Sequence, residues 1–250
     1  VDPDVARDPR TALLTARLSL THRTGFPNWR SQTGGQLTYR FTPGSGYGYS
    51  GEGMNFAARF VEARTGRDLQ TLGQAMLFGP LGMTRTAFTG QSWFIGRMAA
   101  PSNKGVFHAP DVAERGMAAD EAWTSASDYA RFLESLIARE GLSPALADDQ
   151  IRFQIDQTAS LCNRSKPKTC PTQAGFGLGW QALRFGKTRF YMHTGNDRGE
   201  FTFAYWSPDT REGGVILTNS QQGDSVMRAA LDAFGFDRRY TAYLKAMPLR

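Results

Sequence analysis

Two short runs carry residue types suited to chemistry, Tyr49-Ser50-Gly51 and His193-Thr194-Gly195-Asn196. In the second, a polar triplet ending in glycine closes a strand-like run, and glycine there lets a ligand or another backbone approach the sheet edge closely. The first lies in Gly46-Tyr-Gly48-Tyr-Ser-Gly51, formally a G-x-G-x-x-G pattern opening a helix. A dinucleotide fold needs a parallel strand with an acidic end after that helix, and the pattern here gives a second helix instead. Ser50 is also not in a nucleophile elbow, because Glu52 stands where G-x-S-x-G needs its second glycine. The chain has three histidines, His22, His108 and His193, and none has the spacing to a second ligand that zinc sites show, so neither metal nor cofactor is expected.

These runs must be positioned by the surrounding elements. Arg189 to Trp206, closing with Gly214-Val-Ile-Leu-Thr-Asn219, gives three β-rich runs separated by turn compositions, an antiparallel meander. Phe201, Phe203 and Tyr205 alternate with Thr202, Ala204 and Trp206, so both faces need cover. A closing helix from Asp224 to Phe234 can cover only part of one face, which leaves an expected bare apolar patch and an open strand edge. Ahead of the meander, residues 175–184 read as one glycine-weakened strand.

Upstream, residues 11–20 form a short helix, and Leu37–Phe41 a strand fragment. A helix over residues 52–65 has apolar residues on adjoining faces and should be buried on most sides. A further helix spans 68–78 and ends at Gly79-Pro80. Residues 84–121 are irregular, and a helix capped at Ser125 carries Tyr129, Phe132, Leu133, Leu136 and Ile137 on one stripe. Another helical stretch covers 143–155, and a last one 237–247. The fold class is therefore α+β, an antiparallel sheet flanked by helices plus an all-helical region. The expected organisation is one domain over 1–250, with a helical subdomain at about 50–155 and the sheet and C-terminal helix at about 175–250.

Composition limits the partners. With 250 residues and 40% hydrophobic content the chain can bury a sizeable core. The net charge of +6 comes from 29 Lys and Arg scattered singly, not clustered as a phosphate-binding surface requires, so no nucleic acid is expected. No apolar run approaches the roughly 20 residues of a membrane span. Cys162 and Cys170 flank a polar loop, and a short disulfide-closed loop is the expectation, placing the protein in the periplasm or outside the cell.

An ordered set of further motifs resembles the serine β-lactamase and penicillin-binding-protein superfamily, particularly the branch of class C β-lactamases, D-amino peptidases and carboxylesterases. Leu20-Thr-His-Arg-Thr-Gly-Phe-Pro27 is close to that family's L-T-H-T-S-G-L-P. Tyr47-Gly-Tyr-Ser-Gly-Glu-Gly53 precedes a helix ending at Thr65-Gly66, and Pro80-Leu-Gly-Met83 follows. Trp123-Thr-Ser-Ala-Ser-Asp-Tyr-Ala-Arg-Phe132, His193-Thr194-Gly195 and Leu217-Thr-Asn-Ser220 complete the order. The resemblance implies a β-lactamase/transpeptidase-like fold. It also implies that Tyr49 is the tyrosine of Y-x-N, moving a proton between nucleophile and leaving group. A phenol with a free pKa near 10 needs cationic neighbours for that work. His193-Thr194-Gly195 corresponds to K-T-G, with the Asn196 backbone N–H an oxyanion donor and Thr194, Gly195 and Gly51 contacting substrate.

The sequence departs from the pattern at three points. Gly51 replaces the asparagine of Y-x-N, and His193 replaces the lysine of K-T-G, which favours an esterase or peptidase-like hydrolase over an efficient β-lactamase. No S-x-x-K precedes Leu20, and the one literal match, Ser165-Lys-Pro-Lys168, falls in the wrong order. The expectation is a serine hydrolase acting through an acyl-enzyme on ester or amide bonds of a small-molecule or peptide substrate. Its nucleophile would lie in an N-terminal segment missing from these residues. The rival is a non-catalytic binding module for a peptide or cell-wall ligand.

Overall fold

The computed structural model describes residues 2–162, 167–233 and 237–247. The chain divides into two compact units, Val1–Ser92 with Val112–Thr124, and Trp93–Asp111 with Ser125–Arg250. The first opens with a 3₁₀ turn, Pro9–Leu13, and the short helix α1, Ala16–Leu20, capped by Thr15. Leu37–Phe41 is loop and not the expected strand. Leu37 is buried with Val5 and Phe26, with Tyr39 packed against them, so the apolar side chains are used without a pairing strand.

Helix α2, Gly51–Thr65, starts where Ser50 caps it and ends at Gly66, whose φ of 68° suits glycine. It is less buried than expected, because Phe60 and Val61 are 57% and 42% exposed. Glu62 is its main tie. The carboxylate accepts bonds from Arg59, Arg115 and the Leu69 N–H, joining α2 to the 112–124 segment and to helix α3, Leu69–Gly73. Residues 74–78 continue α3 as a π turn. Ala87 pairs with Trp123 as an isolated bridge.

The second unit contains the sheet. A small hairpin, β1 (Ser102–Asn103) and β2 (Val106–Phe107), lies within the stretch read as irregular. Ser102 donates from its Oγ to the Asn219 carbonyl and from its N–H to the Gly199 carbonyl, which ties the hairpin to the turns at one end of the meander. Helix α4, Ala126–Ala138, has the expected Ser125 cap. It is followed by α5 (Pro144–Gln150), β3 (Ile155–Asp156), α6 (Thr158–Cys162), β4 (Gln173–Phe176) and β5 (Gln181–Phe185). The stretch read as one strand over 175–184 is thus a hairpin, turned at Gly179 with φ 80°.

The meander follows as β6 (Thr188–Asp197), β7 (Glu200–Ser207) and β8 (Glu212–Thr218), completing a six-stranded antiparallel sheet in the order β3-β4-β5-β6-β7-β8. Helices α7 (Asp224–Ala233) and α8 (Arg238–Ala246) close the chain. Period-two alternation sends Phe190, Met192, Phe201, Phe203 and Tyr205 into one core with Met227 and Leu231 of α7 and Tyr240, Tyr243 and Leu244 of α8. Tyr191, Ala204 and Trp206 face the other way, into a core with Trp180 and with Leu133 and Leu136 of α4. The middle of the sheet is therefore covered on both faces, by α7 with α8 on one side and α4 on the other, while at the β8 end an open groove of about 600 Å³ remains, lined by Leu133, Ile137, Phe203, Tyr205, Val215 and Ile216. The open edge is present among the described residues, where β8 is last in the sheet order.

Cys162 and Cys170 are free thiols in this structure, where a disulfide was expected. They are nonetheless adjacent, with Cys170 Sγ 3.8 Å from the Cys162 carbonyl oxygen. Burial, and then the neighbouring Cys170, raise the Cys162 thiol to about 11. Ser165 of the out-of-order S-x-x-K match lies outside the described residues.

Candidate active site

Tyr49 and Gly51 lie at the start of α2, in the first unit. Ser50 between them points inward. Its hydroxyl is fully buried, donates to the Pro27 carbonyl at 2.7 Å and accepts the Gly53 N–H at 2.9 Å. A hydroxyl used both ways as a helix cap is not a nucleophile. Alternation across Ser50 then leaves Tyr49 outward, 45% exposed.

The ring of Tyr49 rests on His22, with centroids 4.2 Å apart. His22 is buried in a left-handed conformation, φ 55°, and its Nδ1 accepts the Ser50 N–H at 3.1 Å. An imidazole accepting through Nδ1 carries its proton elsewhere, so this bond needs the neutral ring. His22 thus holds both the backbone and the ring beside Tyr49. In the sequence His22 stands among the histidines that lack a zinc-spaced partner and within the Leu20–Pro27 run, and its place in that run is the signal that points to the site. Burial, and then the Asp120 carboxylate, raise the Tyr49 phenol above its ordinary 10. The phenol is protonated at neutral pH, and a cation close to it would be needed to make it a base.

Gly51 is followed by Glu52, whose carboxylate takes three bonds from the Arg30 side chain and N–H, at 3.0–3.1 Å. Asn28 accepts the Gly51 N–H on its side chain at 2.9 Å and the Glu52 N–H on its carbonyl at 3.0 Å. The loop at residues 27–30 is therefore fastened to the first turn of α2. The intervening Trp29 and its anchors were not singled out in the sequence, because a contact across more than twenty residues leaves no local pattern.

The other predicted residues lie together on β6, in the second unit. β5 accompanies β6 as far as the pair Gln181–Met192, while β7 continues beside it to Asp197. Thr194 and Gly195 thus lie beyond the end of β5, where an extended ligand can approach a strand. A Cβ at position 195 would lie 2.5 Å from Thr202 Oγ1, its cross-strand neighbour, so a side chain there would force Thr202 to turn. Asn196 is exposed. His193 is partly buried and donates from Nδ1 to the Thr194 carbonyl at 3.0 Å.

Burial lowers the His193 pKa from 6.5, with the bond to Thr194 opposing, so the ring is neutral at pH 7. It does not supply a fixed charge. A base whose folded pKa is depressed binds more protons when unfolded, so its stabilising contribution is full above the unfolded pKa and is lost as pH falls below about 6.5. His193→Gln is expected to flatten the acid side of a plot of unfolding midpoint against pH. An unchanged slope would assign the acid sensitivity to other groups.

A beta-lactamase family model matches residues 10–235. Among curated proteins the chain is similar to lovastatin esterase of Penicillium rubens, 26% identical over 220 residues, covering 69% of this chain and 55% of that protein. It is also similar to D-aminopeptidase of Cereibacter sphaeroides, 25% identical over 201 residues, covering 78% of this chain and 37% of that protein. The chain thus spans from about a third to just over half the length of these relatives. Among solved structures, penicillin binding protein from Bacillus halodurans superposes with a TM-score of 0.70 at 17% identity, over 90% of this chain and 76% of that one. D-amino acid amidase from Ochrobactrum anthropi gives 0.65 at 19% identity, over 86% and 66%. These likenesses carry the α+β, β-lactamase/transpeptidase-like fold, and with the family model running through most of its length the chain belongs to the beta-lactamase family.

Proposed function

We propose that the chain is part of a serine hydrolase that cleaves esters in preference to amides through an acyl-enzyme. A serine Oγ, carried outside residues 1–250, forms a bond to the substrate carbonyl carbon. The bond to the alkoxy leaving group breaks, and the serine proton passes by way of Tyr49 to the leaving oxygen. Water then reverses the sequence and frees the acid. The Asn196 N–H serves the developing oxyanion, and Thr194 and Gly195 seat the acyl group.

The observation that carries this reading is the arrangement around Ser50. The one serine of the Tyr49 run is locked inward as a cap, while the phenol beside it faces out on a buried imidazole. Ester preference is supported by Gly51 and by the neutral ring of His193, neither of which offers an amide substrate or its carboxylate a charged or amide partner. Similarity to an esterase and a D-aminopeptidase supports hydrolysis and leaves room for both bond types.

The non-catalytic alternative has one observation in its favour, the raised pKa of Tyr49 beside Asp120. A fluorophosphonate probe separates the two readings. The full-length protein should be labelled on a serine outside residues 1–250. Ser50→Ala should keep that label while losing about 1–2 kcal/mol of stability with its cap. A full-length protein that takes no label favours the binding module, and a label on Ser50 overturns the assignment of the cap.

A further inference from the structure

Gly51 heads α2, and its backbone does not demand a glycine, since it is not among the residues of positive φ. What excludes a side chain is Trp29. A Cβ on Gly51 would lie 2.6 Å from Cη2, 2.8 Å from Cζ3 and 3.1 Å from Cζ2 of that indole, well inside contact distance. The six-membered edge of the ring therefore occupies the space in which a side chain at position 51 would begin.

The indole cannot leave this place by moving its loop. Pro27 accepts from Ser50 Oγ, Asn28 accepts from the N–H groups of Gly51 and Glu52, and Arg30 grips the Glu52 carboxylate. Residues on both sides of Trp29 are bound to residues on both sides of Gly51. Trp29 itself is in ordinary extended backbone, φ −131° and ψ 141°, and is partly exposed. Two residues along from the outward phenol of Tyr49, the place where a side chain at position 51 would begin is thus filled by ring carbon.

We propose that Trp29 is a specificity-determining residue that selects an apolar acyl group, alkyl or aryl, over an amide-bearing peptide. The inference rests on the reading of Tyr49 as the proton carrier of an esterase. Its chemistry is direct: an amide set against ring carbon loses its hydrogen bonds to water and gains none, whereas a hydrocarbon chain exchanges water for contact. The indole and the glycine are one device. Removing the ring opens the space that an asparagine at position 51 would fill.

The test compares Trp29→Ala, Gly51→Asn and the double variant in the full-length protein. The bonds that hold the loop do not use the indole, so Trp29→Ala should fold. The ratio of kcat/KM for nitrophenyl octanoate over nitrophenyl acetate is expected to fall about tenfold in Trp29→Ala, the scale of a hydrophobic pocket contact. The double variant should gain turnover of the nitroanilide of D-alanine over Trp29→Ala, whereas Gly51→Asn alone should be destabilised by the clash. Calorimetric titration with benzylacetone, which has no ester to cleave, reads binding independently of turnover and should weaken about tenfold in Trp29→Ala. An unchanged octanoate ratio, equal benzylacetone affinity, or no benzylacetone binding by the parent protein overturns the role of Trp29. If the parent cleaves no ester, the hydrolase reading falls by itself, and the benzylacetone comparison still decides for or against the indole.

Discussion

Tyr49→Phe in the full-length protein is expected to lower ester turnover by about a hundredfold or more, the usual contribution of a positioned proton carrier. The loss should fall on kcat more than on KM, because the hydroxyl acts on the moving proton while the ring stays to line the site. The fold gives this variant a clean background. The side chain is 45% exposed, and its aromatic contact, the His22 ring at 4.2 Å, survives removal of the oxygen. The unfolding midpoint should therefore stay close to that of the parent. Because burial and Asp120 raise the phenol, the parent's turnover should climb toward alkaline pH as more phenolate forms, and the Phe variant should lack that limb. A Phe variant of near-full activity would remove Tyr49 from the mechanism.

The elements that could be read from the sequence were those specified locally. The meander was marked by alternation and turn residues, α4 by its Ser125 cap and apolar stripe, and the end of α2 by Gly66. Elements whose signal lies far away in the chain were misread. Residues 175–184 look continuous until Gly179 turns them back into a hairpin. Leu37–Phe41 has strand composition, but its apolar side chains serve the cluster around Phe26 with no strand beside them. The periodicity of α2 indicated burial, yet it is held largely by polar ties at Glu52 and Glu62, which leaves Phe60 and Val61 outside.

The candidate site divides along the same line. Tyr49 and the His193 run stood out because ordered motifs flank them. His22 and Trp29 did not, because their roles depend on the Thr21–Arg30 loop folding back onto the start of α2. The departure at Gly51, which read in the sequence as a lost asparagine, becomes in the structure a place taken by an indole. The departure at His193 becomes a neutral ring bonded to its own strand.

Tyr240→Ala is expected to cost about 4 kcal/mol, the range for emptying a large aromatic site in a packed core. Asp237 caps α8 by accepting the Arg239 and Tyr240 N–H groups, which fixes the first turn and aims Tyr240 at the sheet. Its ring lies on Phe190 of β6 with centroids 4.3 Å apart and planes 7° from parallel, and it also meets Phe185 and Tyr205. Phe190 is three residues before His193, so the ring that pins α8 also holds the strand of the candidate site in place. Tyr240→Phe keeps the ring and should remain within about 1 kcal/mol of the parent, since it changes one hydroxyl and no packing. Urea unfolding should separate the two variants, and amide exchange along residues 188–197 should speed up in the Ala variant before the rest of the sheet opens. Equal stability of the Ala and Phe variants would mean that α8 is not part of the core. The sheet face it covers would then depend on α7 alone.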